Sequence, residues 1–140
     1  MDYYVSRDRN KLDVERIHKE ITATYWAADR SMEETLRTME NCICFGLYDK
    51  RDQQLGYARV LTDQVTFAYL MDVIIFPPHR GKGLGKFLMG QILEQPELQK
   101  PTTLALKTKD AHGLYERFGF KRVGDTHLWM SIDKIKFKDL

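Results

Sequence analysis

Apolar residues recur along the chain with two different periods, and the changes of period mark out its elements. "DYYVSR" at residues 2–7 reads as a short first strand. Leu12, Val14, Ile17, His18 and Ile21 then fall at helical spacing and predict a helix between about Leu12 and Thr24. Ser31 with Glu34 three residues later is a capping box, opening a second helix through roughly Glu40. "CICFGLYD", the turn-like "KRDQQ" and "LGYARVLTD" make a hairpin of two strands, and "VTFAYLMDVIIF" follows as a third. That third segment is almost continuously apolar, the pattern of a strand buried on both faces. Leu84, Phe87, Leu88 and Ile92 mark another helix, ended near "EQPELQKP". "TTLALKT" is a strand. Ala111, Leu114, Tyr115 and Phe118 recur at helical spacing, and Gly119 is a natural C-terminal cap. "FKRVG" and "HLWMSI" read as closing strands. The order βααβββαβαββ predicts an α/β (α+β) fold: one central mixed, mostly antiparallel sheet of about seven strands, flanked by about four helices.

Length and charge narrow what such a fold would do. With 140 residues and no repeat or Gly/Ser linker, residues 1–140 are expected to form a single domain. The formal net charge of +2 gives no case for nucleic acid, and no face combines aromatic and basic residues. The longest apolar run, Val73 to Phe76, is far too short to span a membrane, and the opening residues do not read as a signal peptide. Cys42 and Cys44 stand two apart, so on a strand they would share a face and not bridge. With no zinc-type spacing and no cluster among the four histidines, no metal is expected. Two small core thiols suit a reducing compartment, so the expected location is cytoplasmic. The sequence leaves a homodimer open.

The stretch most suggestive of chemistry is "FPPHRGKGLGKFL", Phe76 to Leu88, with three glycines and four basic or titratable cations. It is not a Walker loop: Arg80 stands where that motif needs glycine, and Phe87 follows Gly85-Lys86 where Ser or Thr is required. Nor is it the dinucleotide fingerprint, since the glycines fall at Gly81, Gly83 and Gly85. Bare backbone at the mouth of a helix turns N–H groups toward an anion, with Arg80, Lys82 and Lys86 adding charge. Pyrophosphate is the expected guest.

Arg80-x-x-Gly83-x-Gly85, with Pro77 and an apolar strand ahead of it, resembles the Q/R-x-x-G-x-G/A signature of the GNAT superfamily of acyl-coenzyme-A-dependent N-acetyltransferases. "AHGLYERFGF", about 30 residues on, resembles that superfamily's second landmark. The likeness extends over the whole element order and is sharpest from Leu70 to Phe120. It implies a GNAT-like fold, acetyl-CoA as cosubstrate, and a small-molecule or protein amine as acceptor. It also implies roles for particular residues. Arg80, Gly81, Lys82, Gly83, Leu84, Gly85 and Lys86 would hold the pyrophosphate. The backbone of Val73, Ile74 and Ile75 would face the pantetheine arm, where the strand splays from its neighbour. Tyr115 would give a proton to the departing thiolate: a phenol near pKa ~10 can protonate a thiolate whose acid is near ~8.5 at little cost.

The same resemblance shows a departure. Polyamine acetyltransferases read Leu-Glu-Asp where this chain reads Leu70-Met71-Asp72, so the glutamate proposed as their base is absent. Asp72 is then either a base or anchor for a cationic acceptor, or a buried carboxylate paired with a core arginine; a water relay without a single base is a further route. The link "TYWAADRS" is dense in large and charged groups, and Tyr25, Trp26, Asp29 and Arg30 are candidate acceptor contacts, with Trp26 equally readable as a staple between the two helices. Arg59, Tyr69 and His112 are weaker candidates. Two functions follow: an N-acetyltransferase for a primary amine, or a non-catalytic module that senses acyl-CoA through the same loop. Tyr115 within its full motif favours the first.

Overall fold

The computed structural model describes residues 2–134. They fall into two compact units, one ending at Leu106 and the other beginning at Lys107. In the first, β1 (Tyr3–Ser6), β2 (Ile43–Asp49), β3 (Gln54–Thr62), β4 (Phe67–Ile75) and β5 (Thr103–Ala105) form one sheet in sequence order. The first three pairings are antiparallel and β4–β5 is parallel. Helices α1 (Val14–Thr22) and α2 (Met32–Glu40) separate β1 from β2, and α3 (Leu84–Leu93) separates β4 from β5.

Each helix starts where local chemistry permits. Asp13 caps α1, its carboxylate accepting from the Arg16 amide. The Ser31–Glu34 box of α2 is closed in both directions, at 3.1 and 2.9 Å. Both helices are amphipathic, and Ile17, Ile21 and Met39 join Ala27, Cys42, Cys44, Tyr57, Ile74 and Phe76 in one core. Period-two alternation turns Phe45, Ala58 and Val60, all inaccessible to solvent, to the opposite face of the sheet. Helix α3 buries Leu84, Leu88, Met89 and Ile92 and packs against β4.

The apolar run of β4 is not explained by cover on both faces along its length; its burial alternates strictly. The buried residues change face partway. Ala68 and Leu70 pair with Thr62 and Val60, whereas Ile74 pairs with Tyr57 on the α1–α2 side. Between them the register slips: Arg59 opposes Met71 and Tyr57 opposes Ile74, so Asp72 and Val73 together face Ala58. One extra residue in a strand moves every later side chain to the other face. The run looks continuously apolar because it serves first one core and then the other.

The second unit holds α4 (His112–Glu116). Gly119, at φ +94°, turns the chain after it, with the Phe120 amide donating back to the Tyr115 carbonyl. The two strands expected at the C-terminal end do not form: Val123–Asp125 is a 3-10 turn and no ladder includes residues 127–132. Alternation predicts which residues share a face, but a strand exists only through a paired neighbour. Among the described residues this stretch has none, and Leu128, Met130 and Ile132 stand about nine-tenths exposed. The sheet of the described residues thus has five strands.

Candidate functional site

The slip in β4 sets Asp72 at φ +51°, a left-handed conformation unusual for anything but Gly, Asn or Asp. Its carboxylate is buried and fully engaged. Oδ1 accepts from Trp26 Nε1 at 2.8 Å, and Oδ2 accepts from Arg30 Nη1 at 2.6 Å and Arg59 Nε at 2.7 Å. Burial pushes this carboxyl up, but the Arg59 and Arg30 guanidinia outweigh it and hold it below the usual carboxylate range. A carboxylate held this way is a poor proton acceptor. Of the two readings open for Asp72, the geometry builds the ion-paired one, with Arg59 as the core arginine.

The same contacts fix the link between α1 and α2. Trp26 and Arg30 are drawn down onto β4, and Tyr25 packs edge-on against Trp26 with ring centroids 5.1 Å apart. Tyr25 itself is 46% exposed and Asp29 is exposed. The Trp26 N–H and one nitrogen of Arg30 are thus committed to Asp72, while Tyr25 presents a surface ring. Tyr69 lies on β4 beside Phe67, with their rings 6.2 Å apart.

On its other edge β4 pairs with β5 only from Phe67 to Tyr69, opposite Thr103 to Ala105. From Leu70 onward that edge has no ladder partner among the described residues, and Val73, Ile74 and Ile75 lie along this stretch. Ile74 is buried; Val73 and Ile75 are half-buried. The strand ends in a 3-10 turn at Pro77–His79, and Arg80 Nε donates back to the Ile75 carbonyl at 2.9 Å. Gly81 (φ +80°) and Gly83 (φ +76°) then carry the backbone through the left-handed region into α3. Gly83 is the N-cap, and no side chain caps the helix. A Cβ at either glycine would meet nothing within 4 Å, so space lies open above both. The first-turn amides of Leu84, Gly85 and Lys86 are the ends of a ten-residue helix with no side-chain acceptor over them. Arg80, Lys82 and Lys86 are exposed around them. This cradle fits a pyrophosphate.

In the second unit Tyr115 is 8% exposed, packed edge-to-face with Phe120 at 6.1 Å, and His112 opens the same short helix. Among the described residues no three His, Cys, Asp or Glu side chains gather as a metal site, and no helix is long and apolar enough to cross a membrane.

Arg59 is the residue whose importance sequence reasoning underrated. A lone charge inside "LGYARVL" and another inside "LMDVII" are each costly to bury, so two such residues of opposite sign on adjacent strands signal a pair. Less legible were the thiol acceptors: Arg59 Nη1 donates to Cys42 Sγ and Tyr57 Oη to Cys44 Sγ, both at 3.3 Å. Burial, first of all, pushes the Cys44 thiol up, so it stays protonated. Both cysteines are buried and unbridged.

A mixed sheet whose bulged fourth strand leads into a glycine-rich helix start without a side-chain cap defines the α+β class of this chain. The model of the acetyltransferase (GNAT) domain matches residues 40–122, and the chain belongs to that family. A protein of Gibberella zeae, provisionally named an acetyltransferase, is 33% identical across 86% of this chain and 80% of its own. A [ribosomal protein bS18]-alanine N-acetyltransferase of Haemophilus influenzae is 30% identical over a shorter span, 53% of this chain and 52% of its own. Among solved structures, a GNAT-family protein of Xanthomonas campestris superposes with a TM-score of 0.83 at 40% identity, covering 87% of this chain and 86% of that one.

Proposed function

We propose that the protein transfers an acetyl group from acetyl-CoA to a primary amine, on a small molecule or a protein. The observation that carries this reading is the open start of α3, without a side-chain cap, behind two left-handed glycines, next to a strand whose outer edge has no ladder partner among the described residues from Leu70 onward. The amides of Leu84, Gly85 and Lys86 would bind the pyrophosphate, with Arg80, Lys82 and Lys86 adding charge from the loop. Acetyl-CoA supplies the activated thioester that the amine attacks. An amide in the stretch Val73 to Ile75 would donate to the carbonyl oxygen as charge develops on it, an aimed dipole of the kind that carries much of such catalysis. Tyr115 would return a proton to the leaving sulfur, a role that rests on its place in "AHGLYERFGF". The ammonium proton of the acceptor leaves to water, because Asp72 is tied to two arginines and serves to hold the α1–α2 link against β4. Tyr25 and Tyr69 are the aromatic contacts left for the acceptor, while Trp26 and Arg30 support it from behind.

The engagement of Asp72 also gives some support to a second reading, a module that binds acyl-CoA without turnover. Calorimetric titration with coenzyme A, followed by thiol release from acetyl-CoA over a panel of amines, separates the two. Binding with turnover on at least one amine is expected. Binding without turnover on any amine would favour the sensor, and no binding would overturn both.

A further inference from the structure

An open-sided cavity of about 310 Å³ lies between α2 and the second half of β3, lined by Glu34, Arg37, Thr38, Asn41, Cys42, Arg59 and Leu61. That is the lower end of the range for small-molecule sites, too large for a lone ion. Its floor is Arg59, a buried residue with 7% of its surface exposed. Two of its three nitrogens are committed, Nε to Asp72 and Nη1 to Cys42. Nη2 has no acceptor among the described residues, and Arg59 lines the cavity, so this nitrogen is the donor available to an occupant. Arg37 adds a second guanidinium at the rim, 72% exposed and only loosely held by Glu33 at 3.6 Å. Leu61, 46% exposed, gives an apolar wall.

The cavity also lies close to where the proposed reaction would occur. Arg59 is the direct cross-strand partner of Met71, and β4 loses its β5 neighbour from Leu70 onward. Directly paired residues are roughly 5 Å apart, so the floor of the cavity is one strand away from the edge of β4 that has no ladder partner among the described residues.

We propose that this cavity receives a carboxylate carried by the acceptor amine, so that the substrate is an amino acid or a compound of the same amine-and-carboxylate kind. This rests on the acetyl-transfer reading and adds the acceptor's class to it. A planar carboxylate accepts from Arg59 Nη2 with help from Arg37, and its aliphatic part lies on Leu61. Phosphate monoesters would meet the same cations, but the thiol and leucine lining suits the smaller, less charged group.

Matched pairs test it: alanine against alaninamide, leucine against leucinamide, and phosphoethanolamine against ethanolamine. In the alanine and leucine pairs the amide's less basic amine is the more fully deprotonated at neutral pH, so a preference for the acid cannot come from a larger supply of free amine. The expected kcat/KM favours the acids by about tenfold or more, as for a hydrogen bond to a charged group. Leu61→Glu, or Arg37→Glu at the rim if the first variant fails to fold, should erase that preference. Equal values for acid and amide would overturn the proposal, as would a preference confined to phosphoethanolamine. A binding measurement keeps the outcome separate from acetyl transfer itself: N-acetylalanine titrated into the protein without coenzyme A should bind, and more tightly than N-acetylalaninamide. No difference there overturns the carboxylate site even if coenzyme A binds and amines are acetylated.

Discussion

Arg59 Nε stands 2.7 Å from Asp72 Oδ2, joining the centre of β3 to the slipped residue of β4 inside the core. Both side chains are almost wholly buried, at 8% and 3% exposure. Neither would be tolerated there alone, and together they fix the register error that moves β4 from one core to the other.

Breaking that pair should cost stability more than chemistry. Asp72→Asn leaves Arg59 buried without its counter-ion, for which about 3–5 kcal/mol is expected. Denaturant titration measures the loss. An Asp72→Asn protein as stable as wild type would mean the pair does not anchor the strand.

The same carboxylate gives an acid-side pH dependence. Its pKa is lowered in the folded protein, so its contribution is fully present above the unfolded value near ~3.9 and is lost as pH falls through the folded value. Stability measured from neutral pH down to strong acid should therefore fall with a steeper acid limb in wild type than in Asp72→Asn.

Gly83 tests the cradle. Because a Cβ there has room, the cost of substitution is conformational: a β-branched residue at φ +76° is strained by about 1–2 kcal/mol and pulls the loop out of shape. Gly83→Val should reduce coenzyme A affinity on the order of tenfold or more, whereas Gly83→Asn, which tolerates that φ, should keep most of it. Calorimetry on both variants decides. Equal affinities for Val and Asn would show that the left-handed backbone is not what binds.

Tyr115→Phe keeps the ring against Phe120 and deletes the hydroxyl. As a proton donor Tyr115 should lose roughly 10²–10⁴-fold in single-turnover thiol release, with coenzyme A affinity nearly unchanged. A residue that only packs would tolerate the change with an unaltered rate.

Tyr48 makes a contrasting forecast in a place without chemistry. Tyr48 is 1% exposed and its ring stacks on Tyr4, but its hydroxyl is buried with no hydrogen-bond partner among the described residues. Tyr48→Phe should therefore be neutral or slightly stabilising, since it removes a desolvated polar group and keeps the stack. A clear drop in melting temperature would show that the hydroxyl is satisfied in solution.

Local signals were enough for much of this protein. The Ser31–Glu34 box, the hairpin around Lys50, the glycines ahead of Leu84 and the turn at Gly119 act over a few residues, and each formed where the pattern places it. The glycine spacing and "AHGLYERFGF" also carried the family. What the pattern could not supply was pairing. "HLWMSI" carries Leu128, Met130 and Ile132 at strand spacing, yet alternation creates no neighbour, and no ladder forms there among the described residues. Nor could it show that β4 changes face at Asp72, because a one-residue slip is decided by which partner each strand meets. The engagement of Asp72 is of the same kind. Trp26, Arg30 and Arg59 lie 46, 42 and 13 residues away along the chain, and only folding brings their donors to one carboxylate.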